Sequence, residues 1–224
     1  MNVLVTGAAG FIGSRISGLL LDEGHDVIGI DNLNDAYDPR LKKWRLKQLT
    51  SRTHMTFYEA DINSYEFVAD VIRRHRSGAV VHLAARAGVR PSISEPEIYY
   101  DTNVSGTLSM LRACRDNGVG KFILASTSSV YGISAIGPFR ENQATDRPLS
   151  PYAASKKAAE VMAYAFHHIC GIDVSILRYF TVYGPAGRPD MSIFRFIRWI
   201  DTGTPLNMFG DGTQQRDFTY IDDI

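Results

Sequence analysis

Two side chains that could exchange a proton lie one helical turn apart. Tyr152 and Lys156, within the run SPYAASK, are four residues apart on a predicted helix and therefore share one face. A nearby ammonium group stabilises a tyrosinate, so we expect the pKa of Tyr152 to fall toward neutrality. Such a tyrosinate could take the proton of a substrate hydroxyl.

Four consecutive hydroxyl side chains accompany this pair. The run ASTSSVYG places Ser126 to Ser129 where the fifth predicted strand ends, with no acid or base among them. Thr127 is placed to hydrogen-bond the same substrate oxygen as Tyr152. Hydroxyl groups such as those of Ser128 and Ser129 can donate to a carboxylate without adding negative charge.

A glycine-rich turn in TGAAGFIG joins the first predicted strand to the first helix. Gly7, Gly10 and Gly13 would let the backbone approach a pyrophosphate at the helix N-terminus. Asp31 ends the second predicted strand, 18 residues after Gly13, where an acid would bind a ribose 2′-hydroxyl. Its carboxylate would repel a 2′-phosphate, so the sequence favours NAD over NADP. An oxidised nicotinamide would lower the pKa of Tyr152 further.

Short β-branched runs alternate with longer amphipathic patterns along the chain. This alternation predicts an α/β protein with a doubly wound parallel sheet of the Rossmann type. The predicted strands are 3–5, 27–30, 56–58, 80–83, 122–125, 174–177 and 206–209; the predicted helices are 11–21, 41–49, 65–74, 98–117, 152–170 and 193–202.

Composition excludes several classes of protein. Lys plus Arg and Asp plus Glu both number 24 among 224 residues, so no net charge favours nucleic acid or a membrane surface. No run of apolar residues is long enough to span a bilayer, and the start of the chain does not resemble a signal peptide. We expect Cys114 and Cys170 to be free thiols in a cytoplasmic protein, and no histidine or cysteine spacing predicts a metal site.

Several motifs, in order, resemble those of the extended short-chain dehydrogenases/reductases. They are TGAAGFIG, Asp31, HLAA, NVSGT, STSSVYG and YAASK, and they cover essentially the whole chain. The resemblance implies Thr127, Tyr152 and Lys156 as catalytic residues, with Lys156 also on the nicotinamide ribose. It also implies an NAD site formed by Gly7, Gly10, Phe11, Ile12, Gly13, Asp31, Asn32, Asp61, Ile62, Leu83, Ala84, Ala85, Asn103, Tyr152, Lys156 and Tyr179.

Further segments are similar to nucleotide-sugar epimerases, most closely to those that act on UDP-glucuronate. These segments are DNLNDAYDPRLKKWRL, LAARAGVRPSI, RYFTVYGPAGRPDM and FGDGTQQRDFTYIDDI. The similarity implies Arg90 and Arg216 as ligands of the diphosphate, and Thr181 and Arg188 as ligands of the sugar carboxylate. Pro91 and Ala186 depart from the aromatic residues expected at these positions, which affects fine substrate contacts.

Ser128 and Ser129 occupy the positions that distinguish the reactions of related enzymes. The family's dehydratases carry Asp-Glu directly after the catalytic Thr, and UDP-glucuronate decarboxylases carry a Glu just before Val-Tyr-Gly. Without a carboxylate there, the sequence favours C4 epimerisation of UDP-glucuronate to UDP-galacturonate through a 4-keto sugar. This keto acid would lose CO2 readily, so we expect Ser128, Ser129, Thr181 and Arg188 to hold its carboxylate in a non-productive orientation.

Alternatives remain open at this stage. They are a UDP-glucose/UDP-galactose 4-epimerase, a UDP-glucuronate decarboxylase, a 4,6-dehydratase, and a non-enzymatic NAD-binding regulatory module. We expect residues 1–178 to form the NAD-binding domain and residues 179–224 to begin a substrate-binding part whose remainder is absent from this sequence. The resemblance also implies a homodimer, built through the helices predicted at 98–117 and 152–170.

Overall fold

The computed structural model describes residues 1–133, 138–206, 210–213 and 215–224. Its main sheet has six parallel strands in the order β3-β2-β1-β4-β5-β6. The strands are β1 Asn2–Thr6, β2 Asp26–Asp31, β3 Met55–Glu59, β4 Ala79–His82, β5 Lys121–Thr127 and β6 Asp173–Tyr179. This order belongs to the Rossmann type of fold that the sequence predicted. The strand order reverses between β1 and β4, which leaves a crevice at the carboxyl ends of these strands.

Helices cover both faces of this sheet. They are α1 Phe11–Asp22, α2 Pro39–Thr50, α3 Tyr65–His75, α4 Pro91–Ser94, α5 Pro96–Tyr100, α6 Thr107–Asp116, α7 Pro151–Cys170 and α8 Ser192–Asp201. Side chains alternate between the faces along each strand. In β1, Leu4 belongs to the core packed beneath α3, α6 and α7, whereas Val3 and Val5 belong to the smaller core that includes Leu21 and Leu49 of α1 and α2.

One predicted helix is interrupted. The sequence indicated a single helix over 98–117, but the structure has α5, then a π-helical turn at Asp101–Gly106, then α6. A Cβ on Gly106 would lie 2.5 Å from Cδ1 of Ile62, so only glycine allows the wide turn to pack this closely against Ile62. Such turns are frequent at functional sites, and this one directs Asn103 into the protein interior.

A second, two-stranded parallel sheet follows the main one. It pairs β7 Thr181–Tyr183 with β8 Phe218–Tyr220 and ends in a 3-10 turn at Ile221–Asp223. The strand predicted at 206–209 is not found at Leu206, which has no regular structure, and 207–209 lie outside the described residues. A 3-10 turn at Ser128–Tyr131, which the sequence did not predict, follows β5.

Within the described ranges, no helix has the length and apolar character needed to cross a bilayer. Cys114 and Cys170 are free thiols, as predicted, and burial raises the pKa of Cys114 to about 12. In the same part of the chain, no three His, Cys, Asp or Glu side chains form a group that could hold a metal ion.

Candidate active site

The glycine-rich turn has room for backbone alone. Gly7 has φ +69°, and a Cβ there would lie 2.8 Å from the backbone nitrogen of Ala84. A Cβ on Gly13 would collide with the carbonyl oxygen of Gly7. Gly10, which precedes α1, has no side chain to cap the helix, so the first N–H groups of α1 are available to an acceptor such as a phosphate.

Asp31 lies at the end of β2, beside this turn. Its carboxylate accepts hydrogen bonds from the backbone nitrogens of Ala9 at 3.2 Å and Leu33 at 2.8 Å. The ammonium of Lys42 lies 3.7 Å from Oδ1 of Asp31. These contacts fix the carboxylate at the strand end, where the sequence predicted a ribose ligand.

The predicted NAD-site residues that follow β2 and β3 separate into two kinds. Asn32 donates from Nδ2 to Oδ2 of Asp61 at 2.8 Å, so these two predicted cofactor residues are in contact. Ile62 is only 4% exposed and packs in the large core against Gly106. Its side chain therefore supports the turn, and only its backbone could face a ligand.

Thr127 and Tyr152 are neighbours at the carboxyl edge of the sheet, where the Thr127 hydroxyl acts on the phenol of Tyr152. Thr127 ends β5, and its hydroxyl also accepts from the backbone nitrogen of Ser129 at 3.2 Å. Ser150 caps α7 by accepting from the nitrogen of Ala153 at 3.1 Å, which fixes Tyr152 in the first turn of that helix.

The expected fall in the pKa of Tyr152 is wrong for the protein alone. Burial raises the pKa of this phenol, and the groups that oppose the rise are the Thr127 hydroxyl and the Arg188 guanidinium. Low polarity around the ring outweighs nearby positive charge, because a buried phenolate loses its hydration. The sequence indicated Lys156 as a neighbour but gave no measure of burial.

Lys156 is 3% exposed, one turn after Tyr152. Burial lowers its pKa to about 8, and the carboxylate of Glu160 opposes that fall. Lys156 is therefore an ammonium at neutral pH, with a proton that is held less firmly than that of a surface lysine.

A chain of buried hydrogen bonds connects β1 to α6. Thr6 Oγ1 lies 2.8 Å from Nδ1 of His82, and Nε2 of His82 lies 3.1 Å from Oγ1 of Thr107. The Thr107 hydroxyl donates to the carbonyl oxygen of Asn103 at 2.7 Å, so it accepts from Nε2 of His82. The imidazole is therefore neutral and carries its proton on Nε2. Burial, with the charge of Lys156, lowers its pKa to about 3.

Asn103 continues this chain to α7. Its Nδ2 donates to the carbonyl oxygen of Arg86 at 3.0 Å and to Oγ of Ser155 at 2.9 Å, and its Oδ1 accepts from the nitrogen of Arg86 at 2.9 Å. Ser155 donates to the carbonyl oxygen of Tyr152 at 2.8 Å. Asn103 is fully buried, so the geometry makes it a brace for the loop after β4, where the sequence predicted a cofactor contact.

Amide groups of that loop also have partners. The backbone nitrogens of Leu83 and Ala84 donate to Oγ1 of Thr6 at 3.2 and 3.1 Å. Leu83, Ala84 and Ala85 are half-buried beside Gly7. The loop is thus held against the glycine-rich turn, at the predicted crevice.

Arg188 is the predicted substrate residue whose charge acts on Tyr152. Its guanidinium binds Asp190 through Nε at 3.1 Å and Nη2 at 2.5 Å, and Nη2 also donates to the carbonyl oxygen of Ala87 at 3.4 Å. Ser128 and Ser129 are half-buried in the turn after Thr127. Arg188 and Thr127 thus both lie close enough to Tyr152 to act on its phenol.

The remaining predicted substrate residues lie further out. Thr181 begins β7, and its nitrogen donates to the carbonyl oxygen of Asp217 at 3.2 Å, so Arg216 is close to it along the paired strand. Arg216 is exposed and donates from Nη1 to the carbonyl oxygen of Gln215 at 2.7 Å. Arg90 is exposed directly before α4.

Two buried cations on α2 escaped the sequence analysis. Lys42 and Arg45 are 5% and 3% exposed. Arg45 donates to the carbonyl oxygens of Ala9 at 3.3 Å and Ala186 at 2.5 Å, and to the Tyr37 hydroxyl at 2.7 Å. The two cations share the inward face of the helix with Leu49, at spacings of three and four residues. No local pattern marked them, because the buried positions of α2 carry these two charges and only one apolar side chain, Leu49.

This arrangement fits a dinucleotide. The turn at Gly7 and Gly13 excludes a Cβ, and Asp31 offers a carboxylate at the ribose position. The hydroxyl of Tyr179, at the end of β6, is buried and makes no hydrogen bond within the described part of the chain. Burial raises its pKa to about 12, so it is a protonated donor for a ligand atom.

The NAD dependent epimerase/dehydratase family matches residues 3–224, and the chain belongs to it. The predicted family, enzymatic character, Rossmann fold and use of NAD are thereby confirmed. The UDP-glucuronate 4-epimerase of Thermodesulfobacterium geofontis is 56% identical over 221 residues, which are 99% of this chain and 68% of that protein.

Solved structures agree with this placement. The Bacillus cereus UDP-glucuronic acid 4-epimerase, in complex with UDP-glucuronic acid and NAD, is 41% identical, with a TM-score of 0.94 over 100% of this chain and 70% of its own. A double mutant of the dTDP-glucose 4,6-dehydratase DesIV from Streptomyces venezuelae is 34% identical, with a TM-score of 0.92 over 100% and 69%. The backbone is therefore common to enzymes of different reactions.

The glycine-rich turn yields a matched pair of substitutions. Gly7 and Gly118 have φ +69° and +67°, but the space around a Cβ on Gly118 is open to 4 Å. Both Gly7→Ala and Gly118→Ala carry the left-handed backbone cost, about 1–2 kcal/mol. Only Gly7→Ala also pushes the turn away from Ala84, so we expect at least tenfold weaker NAD binding for that variant alone. Calorimetric titration with NAD measures this, and equal loss in both variants contradicts it.

Proposed function

We propose that this protein inverts C4 of UDP-glucuronate to give UDP-galacturonate, with NAD as a cofactor that is regenerated in each cycle. The observation that carries the proposal is the uncharged run Thr127, Ser128 and Ser129 beside Tyr152, with Arg188 close by. The similar proteins from T. geofontis and B. cereus, named for this reaction, support it.

Each catalytic side chain has one role in this mechanism. Tyr152 takes the proton of the sugar 4-hydroxyl and later returns it, and Thr127 donates a hydrogen bond that favours the tyrosinate. The Lys156 ammonium binds ribose hydroxyls and stabilises negative charge on Tyr152. When bound, NAD supplies reversible hydride transfer at C4.

The uncharged turn after β5 favours epimerisation over its alternatives. A 4,6-dehydratase needs an acid and a base near C5 and C6, and Ser128 and Ser129 occupy the positions at which related enzymes carry carboxylates. Because DesIV shares the backbone, the difference between these reactions lies in side chains. Ser128 and Ser129 cannot act as the acid and base of an elimination.

A substrate carboxylate would meet Arg188 in competition with Asp190. The existing pair has partly exposed side chains, 25% for Arg188 and 43% for Asp190. Ion pairs of this kind contribute about 0–1 kcal/mol, so a ligand carboxylate can share or replace Asp190 at little cost. With Thr181 and the serine hydroxyls, Arg188 would hold the carboxylate away from the alignment that allows loss of CO2.

The division of labour follows the two sheets. We assign residues 1–178 to NAD binding and catalysis, and residues 179–224 to the beginning of the substrate-binding part. The six-stranded sheet ends at Tyr179, one residue past this boundary, and the small sheet begins at Thr181, so the change of sheet supports a division close to this position. Arg90 and Arg216 are assigned to the diphosphate, for which the planar guanidinium suits bidentate contacts.

We also propose a homodimer that uses the outer surfaces of α6 and α7. Leu108 on α6 is 38% exposed, and Val161 and Tyr164 on α7 are 56% and 69% exposed. These apolar side chains lie on neighbouring helices, so a second copy could cover them.

We also propose that the protein is located in the cytoplasm. The two thiols are unpaired, which fits a reducing environment.

The substrate is tested by offering UDP-glucuronate and UDP-glucose separately to the NAD-loaded chain. We expect UDP-galacturonate to form at least tenfold faster than UDP-galactose, because Arg188 favours a carboxylate. Tyr152→Phe should lower the rate at least 1000-fold, since it removes the proton acceptor. Chromatography of the nucleotide sugars measures both. A preference for UDP-glucose contradicts the proposed substrate.

Control of the carboxylate is tested with Thr181→Ala and Arg188→Ala. Each should raise KM for UDP-glucuronate and increase the fraction of UDP-pentose formed by loss of CO2. Arg188→Lys, which keeps the charge but not the planar fork, should have a smaller effect. Unchanged KM and no pentose in both alanine variants would remove these residues from the carboxylate site.

The dimer is tested with Val161→Glu. A buried charge at the interface should give a monomer by light scattering, with unchanged circular dichroism. Trp44→Glu is the matched control, because Trp44 is 53% exposed on α2 and lies outside the proposed interface. Wild-type protein that is monomeric at micromolar concentration shows the proposal to be wrong.

A further inference from the structure

Glu160 is a buried carboxylate that the proposed mechanism does not use. It lies on α7, one helical turn after Lys156, and its side chain is only 4% exposed. Burying an ion pair is often no more stabilising than packing apolar side chains, so stability alone is a weak reason for a carboxylate here.

Both oxygens of Glu160 have strong donors from neighbouring strands. Ser126 on β5 donates to Oε1 at 2.5 Å. Arg178 on β6 donates from Nε to Oε1 at 3.0 Å and from Nη2 to Oε2 at 2.9 Å, a bidentate pair. Arg178 is itself fixed by the hydroxyl of Tyr131 at 3.3 Å and the carbonyl oxygen of Glu141 at 3.1 Å.

These contacts set the separation of the catalytic groups. Ser126 directly precedes Thr127, and Glu160 lies on the same helix as Tyr152 and Lys156. The bond from Ser126 to Glu160 therefore joins the strand end that carries Thr127 to the helix that carries the phenol. A shift between β5 and α7 would break the Thr127 contact with Tyr152, and small displacements of this kind can cost up to about 100-fold in rate.

Glu160 is also the negative group that acts on Lys156. Burial disfavours the Lys156 ammonium, and Glu160 favours it. His82 faces Lys156 but is neutral, because its hydrogen bonds require the Nε2 tautomer. Two further cations lie beside Glu160. Arg178 is paired with its carboxylate. Lys157 lies 3.9 Å from Oε2 of Glu160 and donates to Oγ1 of Thr145 at 2.6 Å.

We propose that Glu160 is a positioning residue that fixes Thr127 against Tyr152 and keeps Lys156 charged, and that it sets the alkaline limit of activity. The inference rests on the Tyr152 and Lys156 chemistry of the proposed function. Glu160 acts through Ser126 and Lys156 and does not touch the substrate.

The deciding variant is Glu160→Gln, which keeps the size of the side chain and removes its charge. Lys156 then loses its proton at lower pH, so the alkaline fall of the kcat profile should move down by roughly one pH unit. The profile is measured from pH 6 to 10 with UDP-glucuronate and the NAD-loaded chain. Glu141→Gln, the same change at an exposed acid nearby, should leave the profile unshifted.

Two further variants separate position from charge. Ser126→Ala removes a hydrogen bond but no charge, and Glu160→Asp keeps the charge at shorter reach. Both should lower kcat several-fold or more at every pH without moving the alkaline limit. If Glu160→Gln does not fold, Glu160→Asp decides, and full kcat in that variant overturns the proposal.

The outcomes distinguish this inference from the proposed function. A wild-type chain that does not turn over UDP-glucuronate contradicts the function itself. A wild-type chain that is active, with a Glu160→Gln profile that superimposes on it after scaling, overturns the role of Glu160 and leaves the function intact.

Discussion

The hydrogen bond between Thr6 and His82 connects the end of β1, which leads into the glycine-rich turn, to the end of β4. Thr6 accepts from two backbone nitrogens, of Leu83 and Ala84, so its own proton must go to Nδ1 of His82. A charged imidazole would carry a proton on each nitrogen. Its Nδ1 proton would then point at the Thr6 hydroxyl proton, and no hydrogen bond could form between them. This set of hydrogen bonds therefore requires a neutral His82. Thr107 and Asn103 continue the hydrogen-bonded chain from His82 to α7.

Local patterns made much of this molecule predictable. The turn at Gly7 to Gly13 and the pair Tyr152 and Lys156 are defined by short spacings, which the sequence displays directly. The strand order also follows, because alternating strands and helices with right-handed crossovers leave few topologies. Asp31 and Thr127, which the sequence placed at the ends of the second and fifth strands, are the last residues of β2 and β5.

The interactions that sequence analysis missed join residues far apart in the chain. Glu160 meets Ser126 and Arg178 across 34 and 18 positions, and no local pattern announces such a pairing. The pKa of Tyr152 was predicted in the wrong direction for a related reason, since desolvation depends on everything packed around the ring. Asn103 was recognised as part of a motif, but its enclosure depends on a π-helical turn that helix periodicity does not reveal.

Arg45 has a consequence for how the cofactor is kept. One guanidinium holds the carbonyl of Ala9 in the glycine-rich turn and that of Ala186, directly before Gly187 and Arg188. Ala186 has φ +55°, a left-handed conformation that a non-glycine residue adopts only when its surroundings impose it. The two loops are therefore joined through a single buried side chain. Such a connection suits the proposed epimerisation, in which the dinucleotide ends every cycle in its starting redox state and need not be exchanged for a fresh molecule.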